Sequence, residues 1–138
     1  MIKSQLILDI FDLIFEDFEF EERLRHQIPF LKEGKTEHST IGLFVYFDAE
    51  RGIEKYKIPT ENIETKDING NAIERIDGVH LKNSELKILA DINVHIKAGI
   101  IDCVEIWNMI NDYPTTEPSK YELEQVWVKS KKRKLIRD

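Results

Sequence analysis

Residues 86–109 carry the most regular hydrophobic pattern in the chain. From Leu86 to Lys97 apolar residues occupy every second position, with Leu89 as the one exception, and a second strand-like run follows Gly99. A period of two is typical of a strand with one buried face and one exposed face. The pattern therefore predicts a β-hairpin that turns near Ala98-Gly99.

The type of turn decides which residues face each other across this hairpin. A two-residue turn at Ala98-Gly99 requires positive φ at Ala98, which costs about 1 kcal/mol or more for a residue with a Cβ. A three-residue loop over 97–99 places only Gly99 in the left-handed region, so we predict that loop. Its apolar face pairs Ile96 with Ile100, Ile92 with Val104 and Ala90 with Ile106, and its polar face pairs Asp91 with Glu105, Asn93 with Cys103, His95 with Ile101 and Leu89 with Trp107.

The predicted pairing of Asp91 with Glu105 calls for compensation, because like charges directly opposite each other destabilise a sheet. A lysine or arginine, a raised pKa, a cation or a basic partner group would supply it. With Asn93 and His95, the two carboxylates could form an acid/base pair or a Mg²⁺ or Mn²⁺ site beside Trp107. The alternative is an exposed face with a lysine nearby.

Helical spacing of apolar residues from Leu6 to Phe18 predicts an N-terminal helix that Ser4 caps and that lies on a sheet. A second short helix is predicted over Glu21–Gln27, ended by Pro29, and then a polar linker over Lys32–Ser39.

Further strands are indicated by β-branched and aromatic runs between turn signals. The predicted strands are Thr40–Phe47 (central and buried on both faces), Ile53–Ile58, Ile63–Ile68 and Ala72–Ile76 around a type I′ Asn69-Gly70 turn, Val79–Leu81 after an Asp77-Gly78 turn, and Tyr121–Val128. The predicted class is therefore α+β, with an N-terminal helix, or two, packed on a mainly antiparallel sheet of about five to seven strands.

Charge divides the chain into two parts. The net charge is −6, but residues 129–138 carry +5 and the preceding residues carry −11. At this length one core suffices, so we predict a single domain over 1–128 and a basic C-terminal tail over 129–138. An acidic body favours a basic protein partner and repels nucleic acid, whereas the tail alone could contact phosphates. The alternative is a solvated body with a frayed, solubilising end.

A cluster of acidic residues around phenylalanines follows the first helix. Acids that surround aromatic anchors could dock a basic protein, the charges setting the association rate and the aromatics supplying buried area. Alternatively, the phenylalanines enter the protein's own core. The candidate residues are Glu16, Asp17, Glu19, Glu21 and Glu22 with Phe18 and Phe20.

Several classes of protein are disfavoured by what the sequence lacks. Asp9 and Asp12 interrupt the apolar N-terminus, which argues against a signal peptide, and no run is long enough for a membrane span. The single Cys103 excludes an intramolecular disulfide and fits a reducing compartment, so we expect a cytoplasmic protein. No zinc, nucleophile-elbow, phosphate-loop or dinucleotide motif occurs, so no metal or other cofactor is expected.

Residues 90–114, ADINVHIKAGIIDCVEIWNMINDYP, and the later YELEQVW resemble small bacterial proteins with a similar strand, glycine turn, Ile-Asp and Glu-Ile-Trp pattern. The resemblance covers roughly the C-terminal third, with weaker similarity at Gly42–Phe47 and at Asp77-Gly78-Val79. Proteins of this type are often immunity partners of polymorphic toxins. The resemblance assigns no functional residue.

These observations predict a non-catalytic cytoplasmic binding module of the immunity or antitoxin type, which neutralises a basic toxin domain through an acidic surface. The candidate surface combines the acidic cluster with Asp91, Glu105 and Trp107. One alternative is a small metal-assisted or acid/base enzyme that uses Asp91, Glu105 and His95. Another is a nucleic-acid accessory protein that acts through the basic tail.

Overall fold

Two helices and a seven-stranded sheet form the protein in a computed structural model that describes residues 1–138. The elements are α1 (Gln5–Ile14), α2 (Glu21–Gln27), β1 (Leu31–His38), β2 (Gly42–Ala49), β3 (Ile73–Asn83), β4 (Ile88–Lys97), β5 (Ile100–Asn108), β6 (Tyr121–Gln125) and β7 (Lys134–Arg137). The strand order is β1-β2-β5-β4-β3-β6-β7, and every neighbouring pair is antiparallel. The predicted α+β class is confirmed.

Helix α1 forms where the sequence predicts it, with the predicted Ser4 cap, but it ends at Ile14 and not near Phe18. The Ser4 hydroxyl accepts a hydrogen bond from the Ile7 amide at 3.1 Å, which satisfies one of the free donors of the first turn. The apolar side of α1 is buried in one core with the sheet. Helix α2 has the predicted bounds, and the segment with Pro29 continues as a short 3₁₀ turn.

The sheet has two different faces. The inner face, which the helices cover, is apolar and consists mainly of Val45, Val79, Leu81, Ala90, Ile92, Val94, Ile96, Val104, Ile106 and Leu123. The outer face carries the residues between them, mainly Phe44, Tyr46, His80, Asp91, Asn93, His95, Cys103, Glu105, Trp107 and Glu124. No helix lies on the outer face, because residues of both helices belong to the inner-face core.

The β4–β5 hairpin confirms the predicted buried face and corrects the predicted turn. Ala98 and Gly99 both have positive φ, 51° and 82°, and Lys97 pairs with Ile100, so the turn has two residues. Tertiary hydrogen bonds hold this turn: the Ala98 amide donates to the Ala72 carbonyl at 2.7 Å, and the Gly99 carbonyl accepts from the Ile58 amide at 3.0 Å. These bonds offset a backbone cost of about 1 kcal/mol at Ala98.

A bulge in β5 shifts the register further. The pairing changes between His95 and Ile96, which leaves Asp102 as the extra residue and keeps Ile101 and Val104 on the inner face. As a result, the predicted pairs are wrong by two residues along most of the hairpin. Asp91 is opposite Trp107, Asn93 opposite Glu105, His95 opposite Cys103, Ile92 opposite Ile106, Ala90 opposite Asn108 and Ile96 opposite Ile101.

The edges of the sheet differ from the prediction. The segment predicted as a polar linker is strand β1, which pairs with β2. β2 lies one strand in from the edge, and only Gly42 and Val45 along it are fully buried, so its predicted burial on both faces is wrong. The basic segment contains β7, which pairs with β6, instead of projecting as a tail. Charged side chains suit edge strands, because they discourage pairing with another chain.

Three predicted local structures are also corrected. Residues 53–58 hold a 3₁₀ helix over Ile53–Tyr56 instead of a strand. The Asn69-Gly70 turn joins no strands beyond one Lys66–Ala72 bridge, and Asn69 lacks the positive φ of a type I′ turn. Asp77-Gly78 is not a turn between strands, because Gly78, at φ 98°, lies in a bulge inside β3. A Cβ at Gly78 would lie 2.9 Å from the Trp127 ring, which explains the glycine.

Candidate functional site on the outer face of the sheet

Two carboxylate–imidazole pairs occupy the centre of the outer face. His80 Nε2 on β3 lies 2.7 Å from Asp91 Oδ1 on β4, and His95 Nε2 on β4 lies 3.0 Å from Glu105 Oε1 on β5. The predicted direct opposition of Asp91 and Glu105 is therefore wrong. Each carboxylate instead contacts a histidine on the neighbouring strand.

This arrangement bears on the acid/base and metal hypotheses. Both hypotheses required a shared carboxylate pair. In the observed register Glu105 lies two residues along β5 from the position opposite Asp91. No group of three or more His, Cys, Asp or Glu side chains is placed to hold a metal ion. Burial, and then the charge of Asp102, raises the pKa of the Cys103 thiol to about 12, so this buried thiol stays protonated at neutral pH.

Aromatic side chains extend the outer face toward β2. Phe44 and Tyr46 stack with ring centroids 6.1 Å apart, and the Phe44 ring lies 6.4 Å from that of His95. Burial raises the pKa of Tyr46. The outer face is therefore mixed, with aromatic, imidazole and carboxylate groups side by side.

One end of the sheet exposes a group of large apolar side chains, which we call the Trp107 patch: Ile41, Trp107, Met109 and Ile110. Backbone contacts bring Ile41 next to Trp107, because Gly42 pairs with Trp107 and the Asn108 amide donates to the Ile41 carbonyl at 2.8 Å. Met109 and Ile110 follow two and three residues after Trp107 in the chain. Trp107 is 49 % exposed, although β5 is a central strand and Trp107 lies between Gly42 of β2 and Asp91 of β4. An apolar cluster with a half-exposed tryptophan marks an interaction surface more often than scattered single residues do.

The predicted acidic cluster after α1 is rearranged by the fold. Phe18 and Phe20 pack against the core and contact each other edge to face, at a centroid distance of 6.4 Å. Glu21 accepts a hydrogen bond from Arg25 at 2.7 Å. Only Asp17, Glu19 and Glu22 remain exposed. The aromatic residues predicted as anchors thus contribute to the protein's own core.

Glu16 belongs to a second network that joins α1 to the C-terminal segment. It accepts hydrogen bonds from Gln125 at 2.7 Å and from Arg133 at 2.9 Å. Burial raises the pKa of Glu16, but these hydrogen bonds outweigh it and hold the pKa below its usual value. Arg137 forms two bonds with Asp9, at 2.8 and 2.9 Å. Both arginines of the basic segment are therefore paired with acids in or just after α1.

The structure does not bring the two predicted groups of site residues together. Asp91, Glu105 and Trp107 lie on the outer face, whereas the Glu16–Glu22 segment follows α1 on the other side of the sheet. Sequence reasoning missed Ile41, Met109 and Ile110. The only signal for the latter two was their position just beyond the alternating pattern, where two more apolar residues precede the polar loop.

No helix of the protein combines the length and apolar character needed to cross a membrane. A scan against protein-family models and searches of curated proteins and of solved structures found no match to this chain.

Proposed function

We propose that this protein is a non-catalytic binding module for a basic protein, which it holds on the outer face around the Trp107 patch. The observation that carries the proposal is the half-exposed Trp107, grouped with other apolar residues at the end of a sheet face that no helix covers. Tryptophan is among the residues most enriched at the energetic centres of protein interfaces.

The charge distribution supports a basic partner. Asp91 stands directly opposite Trp107, and Glu105 lies two residues before it on the same strand. The chain carries a net charge of −6, and the two arginines of its basic C-terminal segment are bound to Glu16 and Asp9. Carboxylates next to an apolar anchor steer a basic partner and set its orientation, while the apolar contact supplies most of the affinity.

An immunity or antitoxin role is the form of this function that we favour. It draws on the resemblance of residues 90–114 to small bacterial proteins, and those residues include both Asp91 and Trp107. In this role the protein blocks a toxin domain by occupying its basic surface. Tight association without turnover is then expected.

The enzyme and nucleic-acid hypotheses each depended on an arrangement of side chains that differs from the one observed. The enzyme hypothesis required Asp91 and Glu105 as a pair, and each is bound to its own histidine. The nucleic-acid hypothesis required a free basic tail, and this segment instead contains β7, with Arg133 and Arg137 bound to Glu16 and Asp9. Neither loss affects the exposed apolar patch.

Photo-crosslinking from position 107 tests the proposal. A benzophenone amino acid is placed at Trp107 in cells of the source organism, and the matched control carries it at Ile68, which is 100 % exposed in the loop before β3. We expect a single basic protein to be crosslinked from position 107 and not from position 68. Crosslinks of equal yield from both positions, or a nucleic acid as the product at 107, would contradict the proposal.

A further inference from the structure

The two carboxylates that would attract a partner lie close to the Trp107 patch. Asp91 is directly opposite Trp107, and Glu105 lies two residues before it on β5. Strand geometry places these two positions about 5–7 Å from that of Trp107, which is within the Debye length of about 8 Å at physiological ionic strength. Any change in the charge around Asp91 and Glu105 is therefore felt by a partner at this patch.

Each carboxylate contacts a histidine that can exist in two charge states. His80 Nε2 lies 2.7 Å from Asp91, and His95 Nε2 lies 3.0 Å from Glu105. A carboxylate only accepts hydrogen bonds, so each Nε2 carries a hydrogen, which a neutral imidazole and an imidazolium can both provide. The pair has a charge of −1 with the neutral ring and zero with the imidazolium. Histidine changes its charge between about pH 8 and pH 5, so both pairs lose their negative charge as pH falls through this range.

The other charged groups around His80 keep their charge over this range. Glu124, on β6, is directly opposite His80 and accepts a hydrogen bond from Lys82. This hydrogen bond outweighs burial and holds the pKa of Glu124 below its usual value, so Glu124 stays ionised. Lys82 and Glu124 thus offset each other throughout. Lys134, opposite Glu124 on β7, remains positive.

The groups around His95 are also constant in charge. Arg75 is directly opposite it on β3, and Asp102 is the extra residue in the bulge of β5, so their charges are of opposite sign. Cys103 is opposite His95 on β5, and Tyr46 is opposite Cys103 on β2. Burial raises the pKa of both side chains, which therefore stay uncharged. The two histidines are the groups at the centre of this face that change charge between about pH 8 and pH 5.

We propose that His80 and His95 regulate partner binding at the Trp107 patch, which is tight while both rings are neutral and weakens when mild acid protonates them. With neutral rings, Asp91 and Glu105 attract a cationic group of the partner. Each imidazolium offsets the carboxylate that it contacts, so this attraction is lost in mild acid. The inference rests on the proposed function, because the partner it concerns is the basic protein held at this patch.

Collisional quenching of Trp107 fluorescence measures the local charge without the partner. The chain has two tryptophans, so Trp127→Phe leaves Trp107 as the only one. Negative surroundings concentrate caesium ions and exclude iodide, and neutral surroundings do neither. From about pH 7.5 to about pH 5.5 we expect the ratio of the iodide to the caesium quenching constant to rise about twofold or more.

Two double variants in the Trp127→Phe background locate the response. In His80→Gln/His95→Gln, glutamine keeps an N–H donor but cannot be charged, so the ratio should not change with pH. His26→Gln/His38→Gln is the matched control and should respond fully, because His26 lies in α2 and His38 lines a cavity beside α1. Circular dichroism at both pH values confirms that each variant is folded. A ratio that does not change with pH in the background protein, or that changes equally in His80→Gln/His95→Gln, would overturn the inference.

The affinity of the partner captured from position 107 tests the regulation itself. We expect its dissociation constant for the wild type to be about tenfold or more higher at about pH 5.5 than at about pH 7.5, and to change less than about twofold for His80→Gln/His95→Gln. Equal affinity of the wild type at both pH values would overturn the inference and leave the proposed function intact. Failure to capture any partner from position 107 would instead remove the proposed function, and this inference with it.

Discussion

Asp9→Asn is expected to lower the free energy of unfolding by about 3 kcal/mol at neutral pH, one of the two largest effects that the structure predicts. Asp9 is 4 % exposed and accepts four hydrogen bonds. The donors are Tyr121 Oη at 2.6 Å, Gln5 Nε2 at 2.8 Å, and Arg137 Nε and Nη2 at 2.8 and 2.9 Å. An asparagine lacks the charge and presents an N–H₂ group to donors, so part of the network is left unsatisfied.

The position of Asp9 explains the size of this effect. Asp9 links α1 both to β6, through Tyr121, and to the edge strand β7, through Arg137. Half of the Arg137 side chain is exposed, so solvent screens part of the attraction, and we expect less than for a fully buried pair. Loss of the carboxylate should therefore loosen β7 first.

Chemical denaturation of the wild type and of Asp9→Asn measures the change in the free energy of unfolding. Asp12→Asn is the matched control. Asp12 lies on the same helix, and its half-exposed carboxylate is 3.7 Å from Arg25 and 3.5 Å from Arg133. We expect the control to cost less than about 1 kcal/mol. Equal stability of wild type and Asp9→Asn would show that this network does not hold β7.

The same network predicts acid sensitivity. Burial raises the pKa of Asp9, but the hydrogen bonds from Arg137, Tyr121 and Gln5 outweigh it, so the folded pKa lies below the ordinary value of 3.8. The stabilisation is therefore complete well above pH 3.8 and is lost as pH falls through the lower, folded value. Between neutral pH and pH 3 the wild type should lose more stability than Asp9→Asn.

Gln27→Met is expected to lower the free energy of unfolding by about 2–5 kcal/mol, because it removes three hydrogen bonds that the buried Gln27 side chain makes with backbone groups. The Gln27 amide nitrogen donates to the carbonyls of Tyr56, at 2.8 Å, and Gly99, at 3.0 Å. Its side-chain oxygen accepts from the Ile101 amide at 2.9 Å. Methionine has a similar shape but can replace none of these bonds.

Hydrogen exchange tests this variant at the site of the change. On going from wild type to Gln27→Met, the exchange rate of the Ile101 amide should rise more than that of the Val94 amide, which lies in the middle of β4. Gln5→Met is the control, since Gln5 is exposed and bonds only to Asp9, and we expect a loss below about 1 kcal/mol. Unchanged protection of Ile101 would mean that Gln27 does not support the hairpin turn.

The buried face of the hairpin could be predicted from the sequence, whereas its register could not. A period of two assigns residues to faces regardless of how the strands are aligned, so Ile92, Val94 and Ile106 were placed correctly. The alignment depends on the turn at Ala98-Gly99. Bonds from Ala72 and Ile58, which are distant in sequence, hold that turn, and no local rule includes them.

The edge strands were missed for a different reason. β1 and β7 are largely exposed and polar, so neither carries the alternation that identifies a half-buried strand. β7 is held in place because Arg133 and Arg137 bind the carboxylates of Glu16 and Asp9, more than a hundred residues earlier in the chain. Net charge alone suggested a free tail, because it does not show which charges meet.

The candidate site was predictable to the same extent. The period of two placed Asp91, Glu105 and Trp107 on one face of the sheet, as observed. The histidine partner of Asp91 was not found, because His80 lies on β3 and its pairing with β4 is set by a bulge. Exposure of Met109 and Ile110 could not be predicted either, since apolar residues after a strand are equally compatible with core packing.

The affinity of the crosslinked partner for variants at position 107 tests the central proposal most directly. Trp107→Ala is compared with wild type and with Ile68→Ala, in low and high salt, after circular dichroism has confirmed that each variant is folded. We predict that Trp107→Ala raises the dissociation constant about thirtyfold or more, that Ile68→Ala leaves it unchanged, and that salt slows association. An unchanged dissociation constant for folded Trp107→Ala would contradict binding through the Trp107 patch.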